Sequence, residues 1–205
     1  MSSTNRGSKR MSEDYYPTPD WCVHALLKKL GRLFGWDWLE PCAGDGAIIR
    51  AVTNFYRSNP GLDTPIRLDK PTVIPYKEPR WTAVELRSDA ARQQMVLEPR
   101  VEWIQPQDFL TWETENRYDV VLTNPPFGLA MPFIIKSMKF ADRVIMLLRL
   151  DFLGSLERAE FHKQHPADIY KLRRRPAFIN GKTDSCEYAW FVWGDGGGRW
   201  FMLDD

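Results

Sequence analysis

The chain has 205 residues, with 28 Lys and Arg against 27 Asp and Glu, for a net charge of +1. That length supports one sizeable core, and the balanced charge excludes a global field for a polyanion, so any basic surface must be local. Three widely spaced cysteines (Cys22, Cys42, Cys186) fit neither a disulfide framework nor a zinc spacing, and there is no long apolar run or signal peptide, which predicts a reducing, cytoplasmic setting and no membrane.

Residues 1–14 are small, polar and basic and read as a flexible tail; residues 15–205 read as a single domain. A helix is predicted to follow "YYPTP", with Thr18 as N-cap, Pro19 at its first position and Gly31 or Gly35 at its end. "WDWLEPCAGDGAIIRAVTNFYR" predicts a strand, a glycine turn and a helix. Residues 59–80 form a long connection that belongs on the rim opposite any active site. "WTAVEL" is the second strand, "ARQQMVL" a helical turn or two, "VEWIQPQDFL" the third strand and "YDVVLT" the fourth. "MPFIIKSMKFA" reads as a helix, "RVIMLLRLDFL" as the fifth strand and "SLERAEFHKQH" as a helix capped by Ser155. "DIYKLR" and "EYAWFVW" are two late strands with no helix between them.

Strands alternating with helices predict a mostly parallel sheet with helices on both faces. The late pair predicts an antiparallel hairpin at one edge, for seven strands in all. Ligands of such sheets bind outside the carboxyl ends of the strands. Several polar residues gather there. Gly44 and Gly46 let the backbone turn tightly. Glu40 and Asp45 make that turn acidic, so it repels pyrophosphate and suits a cationic ligand. Glu85 ends strand two and can accept ribose hydroxyls. Asp108 ends strand three with Phe109 beside it, suiting an exocyclic amine and a purine face. Each acid taken alone is a solvated strand end; in series they form a binding line.

The fourth strand runs into Asn124, Pro125, Pro126 and Phe127, and two prolines end it abruptly. Taken alone, this is a rigid turn with a core Phe. In the order "YPTP", "LEPCAGDG", "VE", "QDF", "TNPPFG", these motifs resemble the class I S-adenosylmethionine-dependent methyltransferases, and more narrowly the N6-adenine DNA methyltransferases. The late "RRRPAFINGKTDSCEYAWFVW" is similar to small phage- and prophage-type members, which implies a bacterial or phage-encoded protein.

The resemblance implies a Rossmann-like methyltransferase fold, S-adenosylmethionine as cofactor and DNA as partner. It implies that Tyr16, Thr18 and Pro19 hold the methionine carboxylate. Glu40, Cys42, Gly44 and Asp45 fall at the methionine amino end, Glu85 at the ribose, and Asp108 with Phe109 at the adenine. Asn124, Pro125, Pro126 and Phe127 form the catalytic tip, with Phe127 stacking on an extruded adenine. Phe178 is expected as a second wall for that base. Arg173, Arg174, Arg175 and Lys182 are expected to neutralise phosphates, unless they are a solvated basic edge. Cys42 reads as a packing residue rather than a nucleophile, and no metal is expected. RNA adenine, protein glutamine and a non-catalytic cofactor-binding subunit remain as alternatives. No separate target-recognition domain is evident within these residues.

Overall fold

The computed structural model describes residues 16–33, 35–60, 78–88, 100–178, 183–194 and 196–204. The expectations for the tail, for residues 61–77 of the long connection, for "ARQQMVL" and for Lys182 lie outside the described residues.

The elements follow the order α1 (Asp20–Leu30), β1 (Asp37–Glu40), α2 (Ala47–Ser58), β2 (Arg80–Val84), β3 (Val101–Ile104), β4 (Tyr118–Thr123), α3 (Ala130–Phe140), β5 (Ala141–Arg149), α4 (Leu156–Gln164), β6 (Asp168–Lys171), β7 (Tyr188–Trp193) and β8 (Trp200–Met202). The sheet order is β3-β2-β1-β4-β5-β7-β6-β8. Only β7 runs against its neighbours. The chain moves outward from β1 through β2 to β3, then returns to the other side of β1 as β4. The strand ends of β1 and β4 therefore flank a topological switch point, where open sheets of this kind bind ligands.

Alternate side chains of each strand fill two cores, as a sheet covered on both faces requires. Trp38, Val120, Leu122 and Trp190 join Leu26 of α1 and Ile49 of α2 on one face. Leu39, Val121, Phe191 and Phe133 of α3 pack on the other. The Trp190 indole donates to the Cys22 carbonyl at 2.9 Å, tying β7 to α1. No helix among the described residues is long and apolar enough to cross a membrane.

The structure corrects four local expectations. First, among the described residues the sheet has eight strands rather than seven, so the late hairpin is not the edge. β8 is only three residues long and pairs parallel to β6. A segment so short, following Gly196, Gly197 and Gly198, carries too little periodicity to be read from sequence. Second, Pro19 is the N-cap of α1, and Thr18 is not; the Thr18 hydroxyl is taken by a distant partner described below. Gly31 does end α1, at φ 73°, and the Ser155 side chain caps α4 as expected. Third, β3 stops at Ile104 instead of running on to Asp108, because Pro106 has no N–H to offer the ladder. Fourth, Asp108 consequently lies in a turn beyond the strand, where its carboxylate accepts the Leu110 N–H at 2.8 Å.

Asp168 holds the unforeseen β8 in place. Its buried carboxylate accepts from the Arg199 backbone N–H and from Arg199 Nε, each at 3.1 Å. The Arg199 contacts hold the Asp168 carboxyl below its ordinary range. Asp168→Asn removes the charge but keeps the volume. It is expected to lower stability by about 1–3 kcal/mol and to speed hydrogen exchange across Trp200–Met202. Unchanged melting and exchange would show that Asp168 does not clasp the strand.

Candidate functional site

The carboxyl end of β1 carries Glu40, which is 1% exposed. The chain then turns through Gly44 (φ 59°) and Gly46 (φ 77°) into α2. Gly46 occupies the left-handed N-cap position, where an L side chain is strained. Asp45 lies between the two glycines. Its carboxylate accepts the Ala47 N–H at 3.1 Å and pairs with Arg50 at 2.9 Å, so it is engaged at the first turn of α2.

At the end of β2, Glu85 is also buried. One carboxylate oxygen accepts the Gly44 N–H at 2.6 Å. The other accepts from the Arg87 backbone and side chain at 2.9 and 3.0 Å. Glu85 thus fixes the glycine turn from the neighbouring strand. The oxygen that accepts from Gly44 keeps one lone pair for a ligand, and Arg87 takes both lone pairs of the other.

Glu40 differs from its neighbours. Its Oε2 is buried and has no hydrogen-bond partner. Burial, with Asp45 and then Glu85 nearby, raises the Glu40 carboxyl well above its ordinary value. Three acids therefore converge; Arg50 pairs with Asp45 and Arg87 with Glu85, and Glu40 has no cationic partner among the described residues. Such a site favours a cation, and it fits the ammonium end of an amino-acid-bearing ligand. Burial, then Glu85 and Glu40, also pushes the Cys42 thiol up. A thiolate there is strongly disfavoured, in keeping with a packing role for Cys42.

The Asn-Pro-Pro-Phe tip leaves β4 on the other side of the switch point. Asn124 is partly buried. Its Nδ2 donates to the Thr18 Oγ1 at 3.1 Å, and its Oδ1 is buried without a donor. The structure thus joins the segment before α1 to the tip, although the two are far apart in sequence. Pro125 is buried, which fixes the carbonyl beside Asn124.

Phe127 lies in an aromatic cluster. Its ring centroid is 5.4 Å from that of Tyr188 and 6.3 Å from that of Phe178. Phe178 also meets Tyr16 at 6.2 Å and Tyr188 at 5.1 Å. Phe127 and Phe178 thus lie side by side. They are tilted by 57°, however, and a stacked base between two walls needs parallel rings about 7 Å apart. In this conformation they touch each other rather than frame a base slot.

Phe109 is a core residue. It is 2% exposed and packs against Phe133 at 5.1 Å. Its neighbour Asp108 is exposed. Phe109 anchors that turn from below and presents no open ring face, which corrects the expectation of a stacking surface.

The hairpin arginines divide. Arg173 is exposed. The Arg174 guanidinium lies 4.3 Å from the Trp21 ring, directed at α1. Arg175 pairs with Glu187 at 2.8 Å, which also holds Lys171 at 2.9 Å. The basic run is therefore partly neutralised by an acid on the returning strand.

Sequence reasoning missed the role of Tyr188 and Asp184. Arg149, at the end of β5, stacks 4.8 Å from the Phe127 ring and donates to Tyr188 at 3.2 Å and to Asp184 at 3.0 Å. Its partner is Asp184 rather than the nearby Asp151. Tyr188 donates to Asp184 at 2.7 Å. Burial and then that carboxylate raise the Tyr188 hydroxyl, so it stays protonated. An Asp and a Tyr four residues apart at a hairpin return were the only local signal. A separate cleft of about 810 Å³, lined by Asp37, Arg80, Glu102 and Arg117 among others, lies at the opposite ends of the strands. It is lined by none of the candidate site residues.

No protein-family model and no curated protein matches the sequence. Solved structures do match. The modification subunit of a proposed type I restriction enzyme from Vibrio vulnificus YJ016 aligns with 93% of this chain and 48% of its own, at 17% identity and TM-score 0.64. A proposed RNA methyltransferase from Pyrococcus horikoshii aligns over 93% of this chain and 92% of its own, at 16% identity and TM-score 0.62. A proposed class I S-adenosylmethionine-dependent methyltransferase from Listeria monocytogenes aligns over 96% and 69%, at 14% identity and TM-score 0.64. The chain spans about half the length of the first and nearly all of the second. It has the Rossmann-like fold that these methyltransferases share, with mostly parallel strands and an antiparallel β7.

Proposed function

We propose that the chain transfers a methyl group from S-adenosylmethionine to the N6 amino group of an adenine extruded from DNA. The observation that carries this reading is the buried, donorless Asn124 Oδ1 on the Asn-Pro-Pro-Phe tip, across the switch point from the orphaned Glu40 carboxylate. One end supplies an acceptor that lacks an N–H, and the other an acid that lacks a cation.

The bound cofactor would supply an electrophilic methyl group on a sulfonium. Glu40, Asp45 and Glu85 would hold its cationic and hydroxyl groups, with Gly44 allowing close approach and Cys42 packing beside them. The α1 N-terminus, with Tyr16, Thr18 and Pro19, would receive its carboxylate. Asp108, from its turn beyond β3, would accept from the adenine amine. An exocyclic adenine amine is a poor nucleophile, because its lone pair is delocalised into the ring. Asn124 Oδ1 can accept one of its N–H groups and the Pro125 carbonyl the other. Both bonds strengthen as the nitrogen becomes pyramidal and positive, so they stabilise the transition state more than the ground state. Pro125 and Pro126 hold the acceptors with little entropy left to lose. Phe127 would stack on the base, once Arg149 or Phe178 moves off its faces.

RNA adenine is the second reading. What favours it is the match to nearly the whole length of a protein described as an RNA methyltransferase. The deciding experiment incubates the protein with radiolabelled S-adenosylmethionine and DNA, RNA or protein, then digests and identifies the methylated product. N6-methyladenine from DNA is expected. Label in RNA alone overturns the choice of substrate, and label nowhere overturns the enzymatic reading.

Arg173, Arg174, Arg175 and Lys182 are proposed to contact phosphates from the hairpin. Replacing the three arginines by Ser is expected to weaken DNA binding and to flatten its salt dependence by up to about three phosphate contacts. Glu187 and Trp21 already engage two of them, so Arg173 should account for the largest single share. An unchanged salt slope would move the nucleic-acid surface elsewhere.

A further inference from the structure

We propose that Thr18 sets the polarity of the Asn124 amide, and that the carboxylate of the methyl donor in turn sets Thr18. The inference rests on the methyl-transfer reading above and concerns how two halves of that site communicate. Thr18 is 4% exposed, and its hydroxyl accepts from Asn124 Nδ2 at 3.1 Å. Among the described residues the hydroxyl proton itself has no acceptor.

A hydroxyl has one proton and two lone pairs. By itself it satisfies the Asn124 amide in either orientation. It can accept from Nδ2, leaving Oδ1 toward the target, or it can donate to Oδ1, leaving the NH₂ group toward the target. Only the first orientation is productive. The second opposes two donors, the amide NH₂ and the adenine amine, and holds no N–H of the substrate. A carboxylate seated at the start of α1 can only accept. It would accept the hydrogen bond from the Thr18 hydroxyl and leave Thr18 nothing but lone pairs for Asn124. The amide is then locked with Nδ2 inward and Oδ1 outward. Occupancy of the cofactor site thereby arms the acceptor on the tip. Thr18 acts as a positioning residue for Asn124, in addition to any contact with the cofactor.

The test reads the Asn124 side-chain amide directly by NMR, its resonance identified by loss in Asn124→Asp. Two ligands are compared: S-adenosylhomocysteine, which has the carboxylate, and 5′-methylthioadenosine, which lacks the amino-acid end. S-adenosylhomocysteine is expected to slow solvent exchange of this amide by about tenfold, the scale of one added hydrogen bond, and 5′-methylthioadenosine to leave it nearly unchanged. Thr18→Val should abolish the difference and Thr18→Ser should keep it. In turnover at saturating donor, Thr18→Val should lower kcat by about tenfold as well as raising KM, with Thr18→Ser restoring kcat. Equal slowing by both ligands, or a Thr18→Val variant altered in KM alone, overturns the proposal. Binding of neither ligand to the unaltered protein overturns the methyl-transfer reading itself. Should Thr18→Val fail to fold, the two-ligand comparison on the unaltered chain still decides.

Discussion

Asn124→Ala is expected to lower methyl transfer by at least about a hundredfold, the scale for removing one transition-state hydrogen bond, while the protein folds and binds cofactor normally. The fold does not need this side chain. Its one hydrogen bond runs to Thr18, worth about 1 kcal/mol, and its other polar atom is buried and unsatisfied. Deleting an unsatisfied buried acceptor offsets part of the lost bond. The loss should fall on kcat more than on KM, because the acceptor is used most fully when the amine is pyramidal. Single-turnover rates, thermal melting and cofactor titration on one preparation separate these effects. If Asn124→Ala melts many degrees lower at unchanged specific activity, the tip is a structural turn and the catalytic reading fails.

Glu40→Gln should change stability and cofactor affinity in opposite directions. Burial and two neighbouring acids raise the Glu40 carboxyl in the folded chain above its ordinary value of 4.5. A carboxyl raised on folding binds protons that the unfolded chain has released. Stability therefore declines as pH climbs from the ordinary carboxyl range through the folded value. Gln cannot ionise, so the variant should lose this decline and gain about 1–3 kcal/mol at neutral pH. The same change removes the partner proposed for the ligand ammonium. A charge-assisted bond is worth about 1.5–3 kcal/mol, so affinity for S-adenosylmethionine should fall roughly tenfold to a hundredfold. In the unaltered protein, affinity should rise with pH as Glu40 ionises. Calorimetric titration across pH, paired with melting curves, checks both signs. A destabilised variant that keeps full affinity would mean that Glu40 is satisfied within the fold and does not face the ligand.

Local chemistry was legible where it depends on near neighbours. The apolar run of β4, the paired prolines after it, the glycine turn after β1 and the Ser155 cap each rest on residues within a few positions of one another. Their period, backbone freedom or missing donor is set before any tertiary contact forms. Alternation of strands and helices then limited the topology to a few right-handed arrangements and put the acids and the tip on one rim. Arg174 is a case between these two levels. The basic run in which it stands is legible locally, but its partner Trp21 lies on α1 and belongs to no local pattern.

By itself, then, the sequence determined the alternating α/β architecture, the rim that carries the polar residues and the rigid tip at the end of β4. Tertiary structure alone decided which way side chains beyond the strand ends point and what they meet. Phe109 turned into the core because a large ring next to Phe133 gains more from burial than from exposure at the rim. β8 joined the sheet because Asp168 offered Arg199 a buried carboxylate. Thr18 left the cap of α1 for Asn124 because the order of strands, not of residues, brings the first helix beside the fourth strand's end. Hydrogen bonds between such distant segments depend on distances of a few ångströms, and those are set only when the whole sheet has assembled.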